Sequence, residues 1–418
     1  MEDVKLGYLS DFSLWSEALE HIASKNTEDE KVLFELDRLS NKSVISSIID
    51  AVEKGTYKIG VPTIIRKKKD NGGYRELYVN SVQDRVLMRV ISKVYYKMYS
   101  SSIHELCVSY KEGLAVGKVI KDISRKLSSG SHKGYKVDIS KFFDSVSRGV
   151  LLDALNSLSN GSCVDRLVLD YYSDDRVYLQ EEGTLVERYK GLAQGCALSA
   201  FLCNYILKDI DEYFSGCDIY YRYSDDIVIF DNSEGIIEEL SCKLGEYGLK
   251  LNYTKLDRIS SDEWFTFLGY SIKGSKISIS KNSLTKFNDN IMERFRTCKT
   301  YNGFKSSVYN YLYSSDAYSC RGWFGVVVGT VNCVSDIKCL DMWVRDIFLA
   351  FRFKRSRIGM IGYSLGRDGV LIRGKGRHAK SNRLRGADVD IVSMLSLHHL
   401  HSIHKDLYLN ELVIRGVL

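Results

Sequence analysis

The stretch at residues 218–230, DIYYRYSDDIVIF, constrains this chain more than any other. Two runs of β-branched and aromatic residues, 219–223 and 227–230, are separated by only Ser224, Asp225 and Asp226. That pattern predicts a hairpin with two neighbouring carboxylates in its tight turn, where both can face one ion. The tetrapeptide YSDD also occurs at residues 172–175, so it carries little weight alone. Context separates the copies. The first closes the apolar helical pattern of residues 164–172 and leaves Asp174 and Asp175 in a connection, whereas the second sits between strands.

A third carboxylate has matching surroundings. Residues 135–138, YKVD, read as a short strand ending at Asp138, followed by a helix with Val150, Leu151, Ala154, Leu155 and Leu158 inward. Nucleotidyl transfer needs two divalent cations held by hard carboxylate oxygens, and Mg2+ fills its remaining positions with water and substrate phosphates. Asp138, Asp225 and Asp226 supply that set if their strands lie side by side. Upstream, residues 58–65 and 74–79 flank the tip KKKDNGG, an Asn-Gly-Gly hairpin signal whose Lys67, Lys68, Lys69 and Arg75 suit a triphosphate. Gln194 and Gly195 precede a helix with Leu198, Phe201, Leu202, Tyr205, Ile206 and Ile210 on one face, and the glycine lets backbone approach a base or sugar.

Taken in order, these segments resemble the reverse transcriptases, and among them the bacterial group of group II intron, retron and phage-defence enzymes. The resemblance covers roughly residues 58–275. It comprises the basic hairpin KKKDNGGYREL, DISKFFDSV, GLAQGCALSAFLCNYIL, YRYSDDIVIF, GLKLNYTKL and FLGY. It implies an α+β right-hand polymerase with fingers, a palm built on an antiparallel sheet, and a helical thumb followed by a basic C-terminal extension. Asp138, Asp225 and Asp226 become ligands of two Mg2+ ions, for which Mn2+ can substitute. Lys68 and Arg75 hold the dNTP triphosphate, Gln194 and Gly195 position nucleotide and template, and Lys255 is the general acid for pyrophosphate. Phe143, five residues after Asp138, becomes an aromatic gate against a ribose 2′-hydroxyl. Phe267, Leu268, Gly269 and Tyr270 become the primer grip. Two departures stand out: Ala193 and Ala200 occupy positions where the family usually has proline, and the chain has one proline in all, Pro62. A looser likeness to intron maturases lies in RGW at 321–323 and in an apolar helix face with Ile337, Leu340, Val344, Ile347, Phe348 and Phe351.

Length and charge agree with this outline. At 418 residues the chain exceeds one ordinary core, and the expected division is an N-terminal helical segment at 1–56, fingers and palm at 57–280, thumb at 281–353 and the extension at 354–418. The net charge of +6 is uneven. Residues 354–386 hold ten Lys or Arg and one Asp, +9, leaving about −3 elsewhere. Such a stretch suits a phosphate backbone, with Arg373, Lys375, Arg377, Lys380, Arg383 and Arg385 on a DNA/RNA duplex or a structured RNA. Four of the eight histidines fall within 398–404, where a helical RNA or subunit contact outweighs a metal site. The ten cysteines form no CxxC pair and read as buried thiols of a reducing compartment; no apolar run approaches membrane-spanning length. The expectation is a cytoplasmic RNA-directed DNA polymerase templated by an associated non-coding RNA in antiphage defence, with a homo-oligomer compatible. Template-independent or protein-primed synthesis on the same site, and a maturase-like RNA-binding role, are the alternatives.

Overall fold

The computed structural model describes residues 3–26, 29–68, 72–111, 116–313, 323, 327–352, 363–365 and 371–373. They fall into two compact units. The first comprises Met1–Lys111, Lys136–Ile229 and Ser233–Asp257, the second Glu112–Tyr135, Phe230–Asn232 and Arg258–Leu418.

Four short helices open the first unit: Val4–Leu9, Phe12–Lys25, Glu30–Ser40 and Lys42–Glu53. Each starts where a short polar side chain replaces a missing backbone acceptor. Asp3, Asp11, Asp29 and Asn41 accept from the amides of Leu6, Ser13, Val32 and Ser43. The next helix, Val82–Tyr99, is capped by Ser81, whose hydroxyl accepts from the Asp84 amide and donates to its carboxylate. Val86, Leu87, Val90, Ile91 and Val94 on this helix are fully buried. It packs against helices Phe12–Lys25 and Ala197–Ile206, with Tyr95 and Tyr96 edge-on to Phe201.

Strands β1 (Thr63–Lys68) and β2 (Tyr74–Val79) form the basic hairpin. Strand β3 (Lys133–Asp138) carries the first carboxylate. Strands β4 (Arg176–Leu179) and β5 (Thr184–Glu187) are a second hairpin, and β4 lies parallel to β1 in a sheet ordered β2-β1-β4-β5. Strands β6 (Ile219–Tyr223), β7 (Asp226–Phe230) and β8 (Asp257–Ser260) join β3 in the order β6-β7-β3-β8. Ile227, Val228, Ile229 and Phe230 have no exposed surface, so β7 is covered on both faces.

In the second unit, β9 (Phe265–Phe267), β10 (Tyr270–Lys273) and β11 (Lys276–Ile279) make an antiparallel meander on which helix Val116–Leu127 packs. Helices Lys281–Thr297, Tyr301–Tyr313 and Val334–Arg352 follow. Ile337, Leu340, Val344, Ile347 and Phe348 are buried as the helical spacing requires, and Phe304 stacks on Phe351 at 4.4 Å. Trp323 of the RGW triplet lies 4.1 Å from the Phe287 ring. Of the basic segment, the antiparallel pair β12 (Tyr363–Leu365) and β13 (Leu371–Arg373) is described. Lys375, Arg377, Lys380, Arg383, Arg385 and the histidines at 398–404 lie outside the described residues. Among the described cysteines Cys107 and Cys203 are buried, Cys242 is exposed and the others are half-buried, so burial is less complete than the sequence suggested. No described helix is long and apolar enough to cross a membrane.

Candidate active site

The site is built where β3 ends. Val137 and Ile139 are buried on one side of the strand, which turns the intervening Asp138 to the other. The backbone ties this end down on both flanks. The Ile139 amide donates to the Asp225 carbonyl at 2.9 Å, and the Asn252 amide donates to the Asp138 carbonyl at 2.8 Å. The three predicted carboxylates are thus brought together by pairing between strands remote in sequence. Within the β6–β7 turn, Ser224 takes φ +57°, an uncommon conformation for a residue with a β-carbon.

The electrostatics are those of a negatively charged cluster short of counter-charge. Burial, then Asp138 and Asp226, push the Asp225 carboxyl up to about 6. Burial and Asp138 likewise raise Asp226, opposed by Lys136 on β3. Lys255 Nζ donates to Asp138 Oδ2 at 2.8 Å, and that bond, with the neighbouring carboxylates, raises its pKa. Among the described residues no three His, Cys, Asp or Glu side chains are gathered closely enough to hold a metal ion as they stand. The donor chemistry nonetheless fits Mg2+: hard carboxylate oxygens, two of them held in a state that added positive charge would relieve. Lys255 is 57% exposed in its side chain, so its ammonium can leave Asp138 without breaking the core.

The first YSDD is chemically different. Asp174 forms a fork with Arg176 at 2.7 Å, Asp175 pairs with Arg148, and buried Lys190 donates to the carbonyls of Tyr171 and Asp174. Both of its carboxylates are paired with an arginine. This copy ends a helix, as its context in the sequence implied.

Around the cluster, Phe143 sits in the short helix Phe142–Ser145, half-buried, with its ring 5.6 Å from that of Phe142. Its carbonyl accepts from the Leu192 amide at 2.9 Å, joining this segment to the Gln194–Gly195 loop. Gly191 makes that contact possible: at φ +56°, a β-carbon there would lie 2.2 Å from the Phe143 carbonyl oxygen. Gln194 accepts through its carbonyl from the Tyr78 amide at 2.8 Å, which seats the loop on β2. Ala193 has φ +52°, a value closed to proline, so the residue found here matches the path of this loop. Lys68 and Arg75 are exposed, and the β1/β2 register sets Lys67 opposite Arg75 and Lys68 opposite Tyr74. Lys67 therefore shares a face with Arg75. In the second unit, Leu268 (φ +47°) and Gly269 (φ +88°) form the two-residue turn between buried Phe267 and Tyr270, with the Gly269 carbonyl accepting from Ser283 Oγ. Sequence reasoning had passed over Gly191, Asn252 and Lys136. Gly191 and Asn252 stand inside segments already singled out, and their position was the available signal.

A palm-type sheet with one carboxylate at a strand end and two more in the adjoining hairpin turn defines a polymerase of the right-hand class. Residues 65–272 match the reverse transcriptase (RNA-dependent DNA polymerase) family, so the chain carries a reverse transcriptase domain. Among curated relatives, the putative COX1/OXI3 intron 1 protein of Saccharomyces cerevisiae is 23% identical over 41% of this chain and 20% of its own length. Protein YkfC of Escherichia coli is 23% identical over 49% of this chain and 64% of its own. The chain thus spans a fifth of one relative and under two thirds of the other. Solved structures of similar outline include apo telomerase from Candida tropicalis (14% identity, 75% of this chain and 62% of that one, TM-score 0.45). Telomerase from Candida albicans with a fragment of telomeric RNA matches at 12% identity, 73% of this chain, 62% of that one and TM-score 0.43.

Proposed function

We propose that this protein synthesises DNA on an RNA template by adding dNTPs to a 3′ hydroxyl. The observation that carries the proposal is the meeting of Asp138 with the Asp225–Asp226 turn inside the matched domain. In this reading Asp138, Asp225 and Asp226 hold two Mg2+ ions. When bound, these lower the pKa of the attacking hydroxyl and neutralise charge on the triphosphate. Lys68 and Arg75, with Lys67 beside Arg75, bind the triphosphate from the exposed hairpin. Gln194 and Gly195 orient the incoming nucleotide against its template base, and the Phe143 ring fills the space a 2′-hydroxyl would need. The turn at Phe267–Tyr270 supports the primer end.

Lys255 is protonated at neutral pH while the carboxylates around it stay charged. Once those charges are neutralised its bias toward the proton weakens, which suits it to protonate the departing pyrophosphate. Residues 57–280 then serve as fingers and palm, 281–353 as thumb, and the +9 segment follows the duplex or the template RNA. An associated non-coding RNA as template, a role in antiphage defence, a cytoplasmic setting and self-association complete the proposal.

The test is incorporation of labelled dNTPs and NTPs by purified protein with Mg2+ and its co-purifying RNA, followed by sequencing of the product. Asp225→Ala/Asp226→Ala should abolish incorporation by several kcal/mol of lost transition-state stabilisation, on the order of 10³-fold. Asp174→Ala/Asp175→Ala should retain it. Inactive wild type, or dependence on the first pair, defeats the assignment and leaves an RNA-binding role. Product without template sequence would point to template-independent or protein-primed synthesis.

A further inference from the structure

Behind the β6–β7 turn lies a buried charge pair that the proposed chemistry does not use. Arg222 and Asp211 are both without exposed surface. Arg222 donates from Nε and Nη2 to the two Asp211 oxygens at 2.7 and 2.5 Å, and the Tyr220 hydroxyl donates to the same carboxylate at 2.9 Å. Its remaining arm, Nη1, donates to the Ser224 carbonyl at 3.1 Å. The main chain of Arg222 is fixed as well, since its amide donates to Leu106 and its carbonyl accepts from Val108.

Ser224 is the residue that needs holding. Its φ of +57° costs roughly 1–2 kcal/mol for a residue with a β-carbon, and glycine is the usual occupant of such hairpin positions. Its carbonyl belongs to the peptide that leads into Asp225, so the orientation of that peptide sets where the Asp225 side chain points. The serine hydroxyl is held too, within 3.5 Å of Cys203 Sγ. A buried ion pair seldom outperforms an apolar pair of the same volume in stability. What an apolar pair cannot supply is a donor for the Ser224 carbonyl.

We infer that Arg222, locked by Asp211, is a positioning residue that fixes the strained Ser224 peptide and thereby aims Asp225 for divalent-cation binding. The inference rests on the reading of Asp138, Asp225 and Asp226 as cation ligands. Supporting groups one step removed from ligands change metal affinity or activity by roughly 10–100-fold when replaced. The experiment is Mn2+ binding followed by electron paramagnetic resonance on full-length wild type, Arg222→Met/Asp211→Leu, Arg222→Lys and Asp225→Asn, each with its thermal transition measured.

The double variant removes both charges together and leaves no charge unpaired, but it takes the partner from the Tyr220 hydroxyl and the Ser224 carbonyl, so it should keep a cooperative thermal transition, somewhat below that of wild type, while binding Mn2+ at least 10-fold more weakly. Arg222→Lys keeps a cation for Asp211 but loses the planar fork, and should fall between the two. Wild-type affinity in a folded double variant overturns the positioning role while Asp225-dependent binding in wild type leaves the functional reading intact. Loss of the thermal transition in both Arg222 variants makes Arg222 a folding residue and also overturns it. If wild-type binding does not depend on Asp225, the functional reading itself fails and the inference falls with it.

Discussion

Replacing Asp225 by Asn should make the metal-free protein more stable at neutral pH, and the structure sets the size of the gain. The carboxyl is raised from its ordinary 3.8 to about 6, chiefly by burial and then by Asp138 and Asp226. Ionising it in the folded state therefore costs roughly 3 kcal/mol, an upper figure because part of the group remains accessible to water. The sign follows from the direction of the shift. With the folded pKa above the unfolded one, the cost is fully present above about pH 6, shrinks as pH falls through that value, and is gone below about pH 4. At roughly 2–4 °C per kcal/mol for a body of this size, Asp225→Asn should melt about 5–10 °C above wild type in EDTA at pH 8, with the difference closing by pH 4. Saturating Mg2+ should raise the wild-type transition and leave that of the variant nearly unmoved. Differential scanning calorimetry at the two pH values decides. No gain at pH 8, or an undiminished gain at pH 4, would refute the claim that the carboxylates are held under mutual repulsion and burial.

Two further outcomes follow from contacts around the cluster. Gly191→Ala places a β-carbon 2.2 Å from the Phe143 carbonyl oxygen at φ +56°, so strain and displacement together should cost roughly 2–4 kcal/mol, visible as a lower thermal transition; an unchanged transition would show that the two segments do not meet as described. Phe143→Ala should raise NTP use relative to dNTP by roughly 10–100-fold, the range available to a steric pocket, measured by single-nucleotide extension; an unchanged ratio removes Phe143 from sugar selection.

Much of this protein can be read from local pattern. The strand runs on either side of Asp225 and Asp226, the strand end at Asp138 and the Asn-Gly-Gly hairpin are short-range signals, and hydrophobic periodicity with turn chemistry makes them legible. The same applies to the helix of Val334–Arg352, whose inward face follows from spacing alone. The two YSDD copies show the limit. Their letters are identical, and their chemistry differs because Arg176 and Arg148 answer one pair while the other faces Asp138 and Lys255. Which cation reaches which carboxylate depends on strand order and chain crossings that no local window contains. For the same reason Gly191 looks like any loop glycine until the Phe143 carbonyl is beside it, and Arg222 looks like an ordinary strand arginine until Asp211 closes on it. Local sequence therefore determined the elements and the candidate ligands. Tertiary structure decided their ionisation, their partners and the aim of the turn, because burial and long-range pairing set the energy of a charge.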